Sequence, residues 1–199
     1  MIHPATELRF ISEEIGYGVF AREPIPRGTI LWVLCRLDMI FTPKEVAAFP
    51  PPYQPVLEQY SYIDAEGRVI LCWDHGRYVN HSCEPAMLAV GGDFEIAVRD
   101  IAADEQVTCE YGHLNLIEPM ACRCGAPRCR GLVASGDVLT LWPDLDRRTA
   151  IALPNARKVL QPLLPFARDA SQFWDWVDGR ARPPSHRDYH AAARRSATG

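Results

Sequence analysis

Three thiols fall within one short stretch, CRCGAPRC, where Cys122, Cys124 and Cys129 are spaced Cys-x-Cys-x4-Cys. Zn²⁺ takes a closed tetrahedral shell of thiolate or imidazole ligands, and Gly125 and Pro127 supply the tight turn that lets three sulfurs converge. One ligand position is left open. Cys83 in RYVNHSCEPAM (77–87), His113 and a ligand from a second chain are the candidates, and Cys83 is preferred because a soft thiolate matches an otherwise all-sulfur set. His81 stands two residues before Cys83, which raises a second chemistry, a Cys-His nucleophilic pair. In thiol hydrolases those groups meet through space, not as near neighbours in sequence. Cys83 is therefore read as a metal clamp, one that pins the segment after Glu110-Tyr111 against the Asn80-His81 strand.

The other cysteines, Cys35, Cys72 and Cys109, stand singly among apolar or β-type neighbours (LWVLCRL, RVILCWD, VTCEY) and read as small core residues. Seven unevenly spaced cysteines do not make a disulfide framework, and the start, MIHPATELRFISEE, lacks the basic and apolar regions of a secretory signal. With 199 residues, 48% hydrophobic and 23% charged, the chain can bury a real core as one domain with an elaboration. Its 21 Lys+Arg against 25 Asp+Glu leave a net charge of −4, which argues against a dedicated nucleic-acid binder. No apolar run is long enough to span a bilayer, so a soluble intracellular protein is expected, cytoplasmic or nuclear and chromatin-associated.

The elements that must position these groups are short. YGVFA and TILWVLCRLDMIF read as two strands joined through the turn REPIPRG. TPKEVAAF is a helix start with Thr42 as N-cap, Pro43 in the first turn and Glu45 closing a capping box, and Pro50–Pro52 end it. YSYID, RVILCW, FEIAV and QVTCEY read as further strands. The first 135 residues are thus mainly β, in small sheets. From about residue 137 the apolar spacing turns helical, cut by Pro154, Pro162 and Pro165, and Trp174, Trp176 and Val177 form a patch that packs back on the domain. Residues 180–199 carry five Arg against one Asp and read as a solvated, disordered basic tail, through which alone nucleic acid would be touched.

Four stretches in order resemble the SET-domain protein-lysine methyltransferases. IGYGVFAREPIPRGTIL is similar to their Gly-x-Gly segment, and GRYVNHSCEPA to their Asn-His-Ser-Cys-x-Pro motif. IAADEQVTCEYG is similar to their Gly-Glu-Glu-Leu-Thr-x-Asp-Tyr motif, and CRCGAPRCRG to the post-SET zinc segment. The resemblance runs from about residue 8 to 133. It implies a mainly β SET-domain fold of small twisted sheets with a threaded, pseudoknot-like C-terminal segment. The divisions would be a SET domain at 1–117, a post-SET zinc segment at 118–135 and a helical extension at 136–179.

The resemblance also implies S-adenosylmethionine as cofactor beside one structural zinc, and a lysine-bearing protein or peptide, such as a histone tail, as substrate. Gly16 and Gly18 would let the backbone around Tyr17 approach the cofactor. Asn80 would bond its amino-acid end and the backbone of His81 its adenine, Arg77 and Tyr78 would line the same wall, and Leu132 or Val133 would cover the adenine face. Tyr111 would orient the amine and the methyl group, with Tyr60 favoured over Tyr62 as the aromatic lining of the lysine channel; the two are read as sharing one face of a strand. An apolar channel lowers the pKa of a lysine, ordinarily about 10.4, toward the neutral amine the reaction needs. Three residues depart from the family. Cys109 replaces a bulky aromatic and predicts room for di- or trimethylation, Glu110 replaces Asp, and Met87 stands near an expected Asn. Two other classes remain open on sequence alone: a catalytically silent SET-like zinc module that binds peptide or nucleic acid, and the thiol hydrolase. Oligomeric state is not legible.

Overall fold

Runs of apolar residues too short for helices dictate small sheets here. The computed structural model describes residues 1–190. An antiparallel hairpin opens the chain, β1 (Thr6–Ser12) with β2 (Gly16–Ala21). β3 (Ile30–Val33) and β4 (Met39–Phe41) follow, then α1 (Pro43–Ala48), α2 (Gln54–Tyr60), β5 (Ser61–Ile63) and β6 (Val69–Leu71). After β7 (Asn80–His81) come β8 (Met87–Val90), β9 (Phe94–Ala97) and β10 (Thr108–Cys109), then the short β11 (Met120–Ala121) and β12 (Leu132–Val133). α3 (Val138–Ala152) and α4 (Ala170–Val177) complete the set. The sheets are β1–β2, β4–β6–β5, β3–β9–β8, β11–β12, and a parallel pair in which Thr108 and Cys109 of β10 face Asn80 and His81 of β7. That parallel pair sets the stretch leading to Tyr111 beside the Asn-His stretch.

The β3–β9–β8 sheet is covered on both faces, which its sequences ILWV, MLAV and FEIA anticipate by being apolar at nearly every position. Leu31, Trp32 and Met87 join one core with Val19, Ile70 and Cys109; Ile30, Val33, Leu88 and Phe94 join a second with α3 and α4. Phe173 and Trp176 of α4 pack on Phe94 at ring separations of 4.9 and 6.1 Å. The expected patch of Trp174, Trp176 and Val177 does pack back, with Trp176 and Val177 buried and Trp174 at the edge of the same core.

Several expectations need correction. TILWVLCRLDMIF is two strands, because the buried Asp38 carboxylate accepts the N–H groups of Cys35 (2.7 Å) and Trp73 (3.3 Å) and folds the chain between them. The prolines at 50–52 end α1, whose capping box on Thr42 forms, but a second helix starts at Gln54 and runs through Tyr60. Tyr60 and Tyr62 therefore do not share a strand face. Nor is the chain solvated from residue 180: His186 and Tyr189, in a 3-10 turn docked on α3, are 1% and 6% exposed. The remainder of the expected basic tail, from residue 191, lies outside the described residues.

Gly91 is where the C-terminal extension locks on. Its φ is +66°, and a Cβ there would overlap the Trp176 indole. Gly91→Ala is expected to cost about 3 kcal/mol, through left-handed strain and overpacking together, read as a shifted midpoint in urea unfolding.

A candidate active site beside a four-cysteine centre

The turn CRCGAPRC, with Gly125 at φ +74°, folds Cys122, Cys124 and Cys129 together, and Cys83 comes to them from the chain after β7. The four Sγ atoms lie within 4.8 Å of one another; Cys83–Cys122 is 3.8 Å and Cys122–Cys129 is 3.7 Å. Tetrahedral thiolates about 2.3 Å from Zn²⁺ stand about 3.8 Å apart, so the donor set fits that ion. Backbone N–H groups of Cys83 and Arg130 point at Cys124 Sγ and Cys83 Sγ, each at 3.4 Å, as thiolates require. His113, the alternative fourth ligand, is elsewhere, against Glu95.

The four-cysteine cluster is wired to Tyr111 and to the residue before it. Burial lowers the pKa of His81, keeping its ring neutral. Its Nδ1 accepts the N–H of Tyr111 at 3.1 Å, which leaves the proton on Nε2, 3.4 Å from Cys83 Sγ. Glu110, 1% exposed, takes both guanidinium nitrogens of Arg130 at 2.7 and 2.9 Å and the Gly112 N–H at 2.7 Å. Burial pushes its carboxyl up, but the guanidinium and the N–H more than offset this and hold it below its ordinary value. This ion pair joins the residue before Tyr111 to the residue after Cys129. The Glu-for-Asp departure was visible in the sequence; the Arg130 partner, 20 residues away, was not.

Tyr111 itself donates its hydroxyl to the Val79 carbonyl at 2.7 Å. Burial, then Cys109 and Glu95, push the phenol far above its ordinary value, so it acts as a neutral, oriented hydroxyl. A cavity of about 1130 Å³ opens beside it, lined among others by Tyr60, Tyr62, Arg77, Cys109 and Glu95. Of the two candidate channel aromatics, Tyr60 caps the end of α2 and meets Tyr78 edge-on at 5.0 Å, whereas half-buried Tyr62 leans on Trp32 at 6.2 Å. Burial also holds the Cys109 thiol neutral, with the Glu95 carboxylate the foremost charge adding to it.

Several of the residues expected to hold a cofactor meet one another, and through Tyr78 they meet Tyr60. Asn80 Nδ2 donates to the Tyr17 carbonyl at 3.0 Å, and Tyr17 meets Tyr78 at 5.9 Å. A side chain at Gly18 would meet the ends of the Gln106, Ile11 and Asn80 side chains and displace them, so glycine leaves the Asn80 amide where it stands. Gly16, at φ +78°, has open space where a Cβ would stand. Tyr17 and Leu132 are 48% and 54% exposed, apolar faces on an amide-lined rim. This combination of a glycine gap, an amide and aromatic faces fits a zwitterionic nucleoside such as S-adenosylmethionine. Arg77 stands 5.5 Å from the Tyr78 ring centroid and also lines the cavity beside Tyr111, its Nε buried and without a hydrogen-bond partner. No helix among the described residues is long and apolar enough to cross a membrane.

Residues 16–112 match the family model described as the SET domain. Histone-lysine N-methyltransferase ATX2 of Arabidopsis thaliana is 44% identical over 62 residues, 28% of this chain and 6% of that protein. Histone-lysine N-methyltransferase ash1 of Drosophila melanogaster is 28% identical over 145 residues, 66% of this chain and 6% of that protein. The chain thus spans only a small part of the length of these relatives. Among solved structures, the methyltransferase domain of human histone-lysine N-methyltransferase SETMAR aligns with a TM-score of 0.49 and 21% identity, over 67% of this chain and 58% of that one.

Two outcomes follow from the cluster and the ion pair. Cys124→Ser is expected to lose the metal, measured as about one zinc per chain in the parent and none in the variant, with a thermal midpoint lower by at least about 5 °C. Because the folded-state pKa of Glu110 is depressed, its stabilisation is present above the unfolded value of about 4.3 and disappears as pH falls through the folded one. Glu110→Gln is expected to cost about 3 kcal/mol at pH 7 and to flatten the acid limb of stability below about pH 4, in urea titrations at stepped pH.

Proposed function

The chain belongs to the SET-domain family through its residues 16–112, and from that premise we propose that it is a protein-lysine N-methyltransferase dependent on S-adenosylmethionine. One observation carries the reading: the Tyr111 hydroxyl, fixed on the Val79 carbonyl at 2.7 Å, stands on a cavity lined by Tyr60 and Cys109, one strand from the Asn80 wall. The cofactor, when bound, supplies an electrophilic methyl group on a sulfonium. Gly16, Tyr17, Gly18, Tyr78 and Asn80 would hold it, and the backbone of His81 would take its adenine, with Leu132 covering that face. Four thiolates and one structural zinc would keep the covering segment in place.

The chain's own residues then do positioning. Methyl transfer is an in-line displacement, so a fixed hydroxyl that aims the nitrogen contributes by orientation. The partly apolar cavity excludes water and favours the neutral amine. Carboxylates of Glu58, Asp64, Glu66, Asp93 and Glu118 against the guanidinium groups of Arg68 and Arg77 give the cavity a negative lining, which suits a basic segment such as a histone tail. That substrate class carries a nuclear or chromatin location with it. Cys109, small and held neutral, leaves room for a second and third methyl group.

A radiolabelled methyl-transfer assay on histones and lysine peptides tests the proposal. Tyr111→Phe is expected to lower turnover about a hundredfold while zinc content and cofactor affinity are kept; full activity in that variant overturns the role of Tyr111. Mass spectrometry of the modified peptide is expected to show di- and trimethyl-lysine, and exclusive monomethylation rejects the Cys109 argument.

A further inference from the structure

Glu95 stands in the middle of β9, flanked by the buried Phe94 and Ile96, in a sheet covered on both faces. It is 8% exposed, and what exposure it has is toward the cavity that Tyr111 and Cys109 line. Among the described residues no hydrogen-bond donor reaches its carboxylate; His113 Nε2 is 3.5 Å away in an ion-pair position. His113 is 5% exposed and neither ring nitrogen has a hydrogen-bond partner. A carboxylate without donors is costly inside a protein, and this one faces a space built to receive a cation.

Resting on the proposed lysine methyltransferase activity, we propose that Glu95, with His113 beside it, accepts the proton that the substrate ammonium must shed before methyl transfer. The N–H bond breaks, its electron pair stays on nitrogen, and an O–H bond forms on Glu95. The methylated product leaves as an ammonium ion, and Glu95 returns its proton to water as the cavity empties.

Of the carboxylates that line the cavity, Glu58, Asp64, Glu66, Asp93 and Glu118 are half-buried or exposed and Glu95 is the buried one, and the hydroxyl, thiol and imidazole groups near it are otherwise engaged. Tyr111 already donates its hydroxyl to Val79, and burial holds it, Tyr62, Cys109 and Tyr189 protonated, with the Glu95 charge acting in the same direction on each. Burial keeps His186 neutral, and its Nδ1 is paired with Asp146 at 2.7 Å. In water a carboxyl near pKa 4.3 is a poor match for an ammonium near 10.4. Inside a partly apolar cavity a charge-separated pair is expensive, which favours passing the proton between two groups that share that space. The small Cys109 side chain lines the same cavity as Glu95 and Tyr111.

The test is the pH dependence of turnover on a lysine peptide under saturating cofactor. The unmodified chain is expected to hold kcat nearly constant from pH 7 to 9, with a fall only on the acid side. Glu95→Gln, an isosteric change, is expected to lower kcat at least tenfold at pH 7 and to recover about tenfold per pH unit toward pH 9 as solvent takes the proton instead. Zinc content and calorimetric cofactor affinity are expected to match the parent. A pH-independent loss in Glu95→Gln, unchanged kcat, or a parent kcat that itself climbs tenfold per unit above pH 7 overturns the assignment. The last outcome needs no variant to fold. A parent chain that transfers no methyl group at any pH removes the functional reading and this assignment with it, whereas an active parent with the wrong profile removes the assignment alone.

Discussion

The bidentate pairing of Arg130 with the buried carboxylate of Glu110 is the constraint on which the rest depends. A carboxylate 1% exposed is sustained only by full compensation, and here two guanidinium bonds and the Gly112 N–H supply it. The geometry forces the residue after the last cysteine against the residue before Tyr111. The sulfur cluster and His81 make a second, parallel tie between the same two regions. Tyr111 is thereby held from both chain neighbours, and its hydroxyl has one place to go. Rigid aim, which a methyl-transfer geometry demands, comes from these ties more than from the short β7–β10 pair, which has only two residues per strand.

Around that constraint the molecule sorts its titratable groups by burial. Cys109, Tyr62 and Tyr111 stay protonated, and Cys72 is pushed up to about 12 by burial and by Asp38. Neutral hydroxyl and thiol groups therefore line the cavity together with its one buried carboxylate, Glu95. The sheet that carries Glu95 is the same one that seats the C-terminal helices through Gly91 and Phe94, so the extension and the cavity share a wall. Asn115 adds a clasp: its side-chain amide donates to the carbonyls of Ile63, Asp64 and Tyr189.

What the sequence revealed, and what it hid, divides by range. The cysteine spacing, the capping box at Thr42 and the apolar runs of β3, β8 and β9 are local signals, and they were legible because backbone turns and burial act over a few residues. The same holds for the Gly-x-Gly and Asn-His stretches, which the structure joins through the Asn80 amide and the Tyr17 carbonyl. The misreadings were long-range or competitive. Asp38 breaks a strand by bonding to Trp73, 35 residues on, and α2 starts where a run of prolines had seemed to stop helical structure. Tyr60 lost its strand to that helix. His186 and Tyr189 sit in an Arg-rich segment whose composition reads as solvated, yet the Asp146 carboxylate and the His113 ring give them a buried berth. Glu95 carried no local mark, and the parts played by Arg130 and His113 come from carboxylate partners on other elements.

The Asn115 clasp has a temporal consequence. One of the carbonyls it binds belongs to residue 189, while the others belong to residues 63 and 64. During synthesis, which delivers the chain from its N-terminus at about 5–20 residues per second, the early sheets and the sulfur ligands emerge well before the last berth can be filled. Until residue 189 has emerged, Asn115 lacks the Tyr189 carbonyl and His113 the Tyr189 ring, so this side of the cavity is the last to close.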